Sequence, residues 1–174
     1  MEGFTRLADR AAAAAGALGA VVLMAIMTLS MVEVLSRYVF KDPLILSDEL
    51  GGYAMVAVSF LGLAFCARER GHIRITFLVE RMRPLLAGRV RLLTLLVALV
   101  FVCIAAVVSW KFLGDSFTRD MRSNSLLRTP LKWPQMAIPV GFSLFALVLL
   151  GQAAAAWRNL RAGRSVDRFG PEEF

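Results

Sequence analysis

The side chains able to do chemistry are few and scattered: Glu33 with Arg37, Asp48 with Glu49, the cysteines Cys66 and Cys103, and a single histidine, His72. Glu33 and Arg37 stand four apart, the favourable order for an ion pair along one helix face. An acid at bilayer depth is costly and usually functional, so Glu33 could instead act as an intramembrane proton carrier. The spacing favours the ion pair at a helix end. Asp48 and Glu49 follow Ser47, a residue of N-capping type, and two acids in a first turn suit the positive end of a helix dipole. The same acidic pair could also offer a docking point to a partner.

What these residues lack removes most catalytic classes. A di-haem cytochrome needs paired axial histidines, and His72 has no second histidine to pair with. Cys66 and Cys103 have no neighbouring Cys or His and read as small apolar residues, not as a redox couple. No cluster of His, Cys, Asp and Glu falls at metal-ligand spacing, and no glycine-rich phosphate loop occurs. An intramembrane serine protease would need a histidine within the bilayer to activate its nucleophile, whereas His72 lies in a connection. The sequence implies neither an enzyme nor a cofactor.

The elements that must position these groups are plain. Four uncharged apolar runs occupy residues 11–32, 50–67, 92–110 and 133–157, and hydrophobic residues make up 58% of the chain. A helix rises about 1.5 Å per residue, so about 20 residues cross a hydrocarbon core about 30 Å thick. The expected fold is an all-α integral membrane protein, one domain over residues 1–174, with four transmembrane helices at about 11–36, 48–67, 90–112 and 134–157. The first run exceeds the apolar core of a secretory signal, about 7–15 residues, and is expected to stay as an anchor.

The net charge of +7 does not form a nucleic-acid patch, because the basic residues sit between the runs. Thirteen of the 20 Lys and Arg fall in the head, the second connection and the tail, which must share one side of the membrane. The positive-inside rule then puts both termini in the cytoplasm. Within the second connection, residues 73–86 have the pattern of an amphipathic helix lying on the membrane surface. Ile75, Leu78, Val79, Met82, Leu85 and Leu86 share one face, and Arg74, Arg81 and Arg83 lie opposite, toward anionic phospholipid headgroups. A helix packed on a protein partner would carry the same pattern. Pro84 limits or kinks it before the third span. Pro130, Pro134 and Pro139 shape the entrance to the fourth span, and Tyr38, Trp110, Trp133 and Trp157 stand at span ends as interfacial anchors. Gly16 with Ala20, or Gly52 with nearby alanines, offers a small surface for close helix contact.

An ordered set of short motifs covers most of the chain: Arg37-Tyr38-Val39-Phe40 with Pro43, Ser47-Asp48-Glu49-Leu50, Phe60-Leu61-Gly62, Arg68 with Gly71-His72-Ile73-Arg74-Ile75, and Leu126 to Pro130, Trp133 and Ile138-Pro139-Val140-Gly141. In order and spacing this set resembles the small membrane subunit of tripartite ATP-independent periplasmic (TRAP) transporters, the DctQ-like family. The chain departs from the family pattern at Leu44-Ile45-Leu46, Thr76 and Met136, where an aromatic, an Asp and a Tyr are common.

The resemblance implies a non-catalytic subunit in the bacterial inner membrane that braces a large permease subunit. That larger subunit takes up an organic, typically carboxylate-bearing, solute delivered by a periplasmic binding protein, with ion coupling. Arg37, Asp48, Glu49, Arg68, His72, Pro130, Trp133 and Pro139 are the residues expected to organise the helix ends or meet partners. The alternative is a self-sufficient four-helix proton antiporter using Glu33. Connections of 24 and 22 residues and the one-sided distribution of positive charge weigh against it.

Overall fold

The computed structural model describes residues 2–41, 46–69, 84–125 and 128–161, with side chains from residue 7 onward and without those of 46–48, 84 and 85. Within them the chain is helical: α1 (Glu2–Leu35), α2 (Leu46–Arg68), α3 (Pro84–Thr118), the short α4 (Lys132–Gln135) and α5 (Ala137–Arg161). Helix α1 passes directly into a π-helical turn, Ser36–Phe40, which ends where Lys41 adopts a left-handed φ of 54° and returns its N–H to the Ser36 carbonyl. Four stretches are long and apolar enough to cross a membrane: Leu7–Phe40, Glu49–Arg68, Leu86–Thr118 and Lys132–Arg161. No strand forms among the described residues.

The first helix, taken with its π-helical turn, and the third helix overrun their expected spans at both ends. Hydropathy marks where lipid contact stops, but a helix satisfies its own backbone and can continue into the headgroup layer among charged side chains. Pro84 opens α3, where its missing N–H would have had no partner in any case. Leu85 and Leu86, assigned from the sequence to the end of the surface helix, therefore belong to the first turn of α3. Ile75, Leu78, Val79, Met82 and His72 lie outside the described residues.

The helices do not form a square up-and-down bundle. Helix α1 packs on α2, α2 packs on α5, and α5 packs on α3, with a lighter contact between α1 and α5. Helices α2 and α5 run parallel, side by side; α2 and α3, consecutive in the chain, have α5 between them.

Small residues make this spacing possible. A Cβ on Gly141 would lie 2.4 Å from the Phe60 carbonyl oxygen, so the backbones of α5 and α2 all but touch. A Cβ on Gly16 would lie 2.5 Å from the Phe65 ring, which rests on α1. Beside the first contact, Phe60 and Phe142 meet edge to face with centroids 5.2 Å apart, a geometry aromatic pairs favour. Ala12, Ala64, Ala67 and Val148 complete the buried centre, flanked by Leu144 and Phe145. Gly52 has nothing near the position of an added Cβ and takes no part in close packing.

The outer faces stay apolar. Val97, Phe101 and Ile104 on α3, and Met24, Met27 and Met31 on α1, are all more than half exposed.

Because an added methyl at Gly141 meets backbone, which cannot rotate away, Gly141→Ala should lower the thermal stability of the detergent-solubilised chain by about 1–3 kcal/mol. Gly52→Ala should stay within about 0.5 kcal/mol of the parent. Thermal unfolding followed by circular dichroism compares the two, and equal stability would contradict the close α2–α5 contact.

Candidate functional site

Polar side chains collect at the two ends of the helix array. At the end where α1 stops and α2 and α5 begin, Glu49 is the centre. Its Oε1 accepts a hydrogen bond of 2.6 Å from the Tyr53 hydroxyl, one turn further along α2. Its Oε2 accepts another from the hydroxyl of Ser125, in the connection between α3 and α4. One carboxylate thus ties the start of α2 to a loop 76 residues away.

That loop is held in shape by its own backbone. Arg122 and Pro130 form an isolated antiparallel bridge. The Ser123 N–H donates to the Thr129 carbonyl at 2.9 Å and the Leu131 N–H to the Met121 carbonyl at 3.0 Å. Asp120 and Arg128 take left-handed φ values of 42° and 47°, which reverse the chain at either side. Asp120 then pairs with Arg122 at 3.1 Å and with Lys132 at 3.7 Å. The Arg122 guanidinium, first through its hydrogen bond and then through its charge, holds the Asp120 carboxyl below the usual carboxylate range, and Lys132 adds to the effect.

Below the loop, fully buried Ser116 donates to Gln135 Oε1, joining the end of α3 to α4. Deeper still, Trp110 Nε1 donates to Ser143 at 3.1 Å, and the Ser143 hydroxyl donates to the Pro139 carbonyl at 2.6 Å. Pro139 itself is buried in the first turn of α5, where no intrahelical N–H is needed. Arg37 donates to Glu33 across one turn, so the expected ion pair forms, with Glu33 buried and Arg37 half exposed.

At the opposite end Gln152 Nε2 donates to the Ala67 carbonyl at 2.7 Å, filling one of the acceptors that the last turn of α2 leaves open. Arg68 pairs with Glu69 at 3.3 Å, and the Arg161 guanidinium lies 5.0 Å from the Trp157 ring centre.

The expected site residues therefore do not converge. Glu49 and Pro130 share the loop assembly; Trp133 stands beside it on α4, largely exposed; Arg37 has its own pair; Arg68 is at the other end of α2. The backbone of Asp48 lies in the first turn of α2, and nothing is described of its side chain. Sequence reasoning passed over Tyr53, Ser125 and Gln152, and named Gly141 in a motif without its role as the point of close helix contact. Tyr53 is four residues after Glu49, and Gln152 is an isolated amide in an apolar run, a recognisable signal for an intramembrane hydrogen bond. Nothing local marks Ser125 as the partner of Glu49.

Among the described residues no three His, Cys, Asp or Glu side chains come close enough to hold a metal ion. The arrangement fastens helix ends to one another, and with four apolar helices it defines a multi-pass membrane protein. A family model for tripartite ATP-independent periplasmic transporters, DctQ component, matches residues 24–159. The chain belongs to this family and is a transporter component, not an enzyme. It is similar to the sialic acid TRAP transporter permease protein SiaT of Haemophilus influenzae (strain 86-028NP), 31% identical over 151 residues. The match takes in 85% of this chain and 23% of the relative, so the chain spans about a quarter of the length of that permease.

The loop pair gives a pH prediction. Asp120 has a lowered folded pKa, so its contribution to stability is fully present above the unfolded carboxylate value of about 3.9 and is lost as pH falls through the folded value. The melting temperature of the parent should exceed that of Asp120→Asn by a constant margin from pH 6 to 8, and the two should converge in acid. A margin unchanged down to the acid limit would remove the pair's role.

Proposed function

We propose that this chain is the non-catalytic small membrane subunit of a TRAP-type secondary transporter, bracing a large permease subunit in a bacterial inner membrane. The observation that carries this reading is the family match over residues 24–159. The permease relative is more than four times as long as the matching segment, which supports a second, larger polypeptide as the partner of this chain. The bare apolar faces of α1 and α3 are suited to meet such a partner or lipid. The relative's name specifies sialic acid, a carboxylate-bearing solute, and this supports an organic acid as cargo, delivered by a periplasmic binding protein and taken up with ion coupling.

In this proposal the chain forms one membrane domain, with both termini in the cytoplasm as the placement of Lys and Arg favours. The Glu49–Ser125 loop assembly then faces the periplasm, where the binding protein docks. The part of the expected surface helix that precedes α3, residues 73–83, then lies on the cytoplasmic face, seated among phospholipids through Leu78 and Met82.

Co-expression with the large permease, followed by affinity purification in mild detergent, should recover a one-to-one complex. Solute accumulation by liposomes containing only this chain, abolished by Glu33→Gln, would overturn the proposal in favour of an autonomous proton antiporter. For the surface helix, Leu78→Asp combined with Met82→Asp should reduce complex recovery and solute uptake. Unchanged recovery and uptake would eliminate that element of the proposal.

A further inference from the structure

The end of the helix array where α1 begins and α2 finishes holds a cleft of ≈ 430 Å³ between α1, α2 and α5. Ligand pockets typically run from roughly 300 to 1,000 Å³. Its floor is apolar, with Ala8 and Val148 both buried, and its rim carries Asp9, Arg68, Glu69 and Gln152. The first uncharged apolar run starts at Ala11, just after Asp9 and Arg10, and the second stops at Ala67, just before Arg68 and Glu69, so the rim lies at the boundary between hydrocarbon and headgroups. We propose that this cleft binds the headgroup of a zwitterionic aminophospholipid, one that carries a phosphate and a primary ammonium.

The charges on the rim match that headgroup. Among the described residues Arg68 engages Glu69 through one nitrogen at 3.3 Å, and a guanidinium has five N–H donors. The remainder of the fork can take a phosphate, the ligand such a planar donor set suits best. Asp9, exposed on the rim, has no ionic partner among the described residues. Asp9, Glu69 and the negative end of the α2 dipole together favour a cation, and a primary ammonium offers three N–H donors to the two carboxylates. Gln152 occupies the Ala67 carbonyl, so that acceptor needs no ligand.

A choline headgroup has no N–H to give. A glycerol headgroup would give Arg68 its phosphate but bring no cation to Asp9 and Glu69.

The assignment depends on the chain being a multi-pass membrane protein and not on its transport role. The full chain, purified in mild detergent, is offered phosphatidylethanolamine, phosphatidylcholine, phosphatidylglycerol and soluble phosphoethanolamine, and adducts are read by native mass spectrometry. Phosphatidylethanolamine should be retained about tenfold over the other two lipids, the effect of one charge-assisted hydrogen bond. Arg68→Gln and Asp9→Asn should each bring the ratio toward one, while Asp120→Asn, at the opposite end, should leave it unchanged. Equal retention of the three lipids, a preference for phosphatidylglycerol, or binding of phosphoethanolamine without enrichment of the lipid would overturn the proposal. The lipid panel on the parent chain decides this even if a variant fails to fold.

Discussion

Two helices in hydrocarbon come close only where a side chain is missing, and the meeting of Gly141 with the Phe60 carbonyl is the contact on which the helix array turns. Lipid tails are as apolar as leucine, so helix association gains little from hydrophobicity and depends on van der Waals packing and interhelical hydrogen bonds. With α5 seated directly on α2, the two run parallel as a central pair, α1 closes on α2 through Gly16 and Phe65, and α3 packs chiefly on α5 among the described residues. A side chain at position 141 would push the central pair apart and misalign the hydrogen bonds at both of its ends.

Those hydrogen bonds act at the ends of the helices. At the end where α2 starts, the Glu49 carboxylate joins α2 to the loop between α3 and α4, and Ser116 joins α3 to α4 through Gln135. At the other end Gln152 closes the last turn of α2 from α5. A polar group in lipid with no partner costs far more than the net worth of a hydrogen bond in water, so each of these bonds fixes register as well as adding stability. The resulting array is asymmetric, with long apolar faces on α1 and α3. Such a shape suits a subunit that widens another membrane protein, and it fits the proposed bracing role better than a closed bundle with an internal pathway would.

Several features could be read from single stretches of sequence. Four helices long enough to span follow from four uncharged runs, because helix rise and bilayer thickness fix the required length. The Glu33–Arg37 pair follows from i,i+4 spacing, and Pro139 sits in a first turn, where the missing N–H is harmless, whereas Pro84, read as the limit of a surface helix, instead opens α3. Family membership was also legible, since the motifs that carry it all begin and end within the matched residues 24–159. The helix ends were not: α1 and α3 continue past their apolar runs, because charge ends lipid contact without ending the helix.

The sequence by itself determined how many helices cross, which residues sit near their ends, and the family to which the chain belongs, since each of these depends on local composition or on order along the chain. Only the tertiary structure decided that α5 lies between α2 and α3, that Gly141 and not Gly52 is the point of closest approach, and that Glu49 is satisfied by Ser125. Those facts rest on contacts between residues as far as 81 positions apart, as in Phe60 with Gly141, and local periodicity carries no information about which apolar face meets which when every face is apolar.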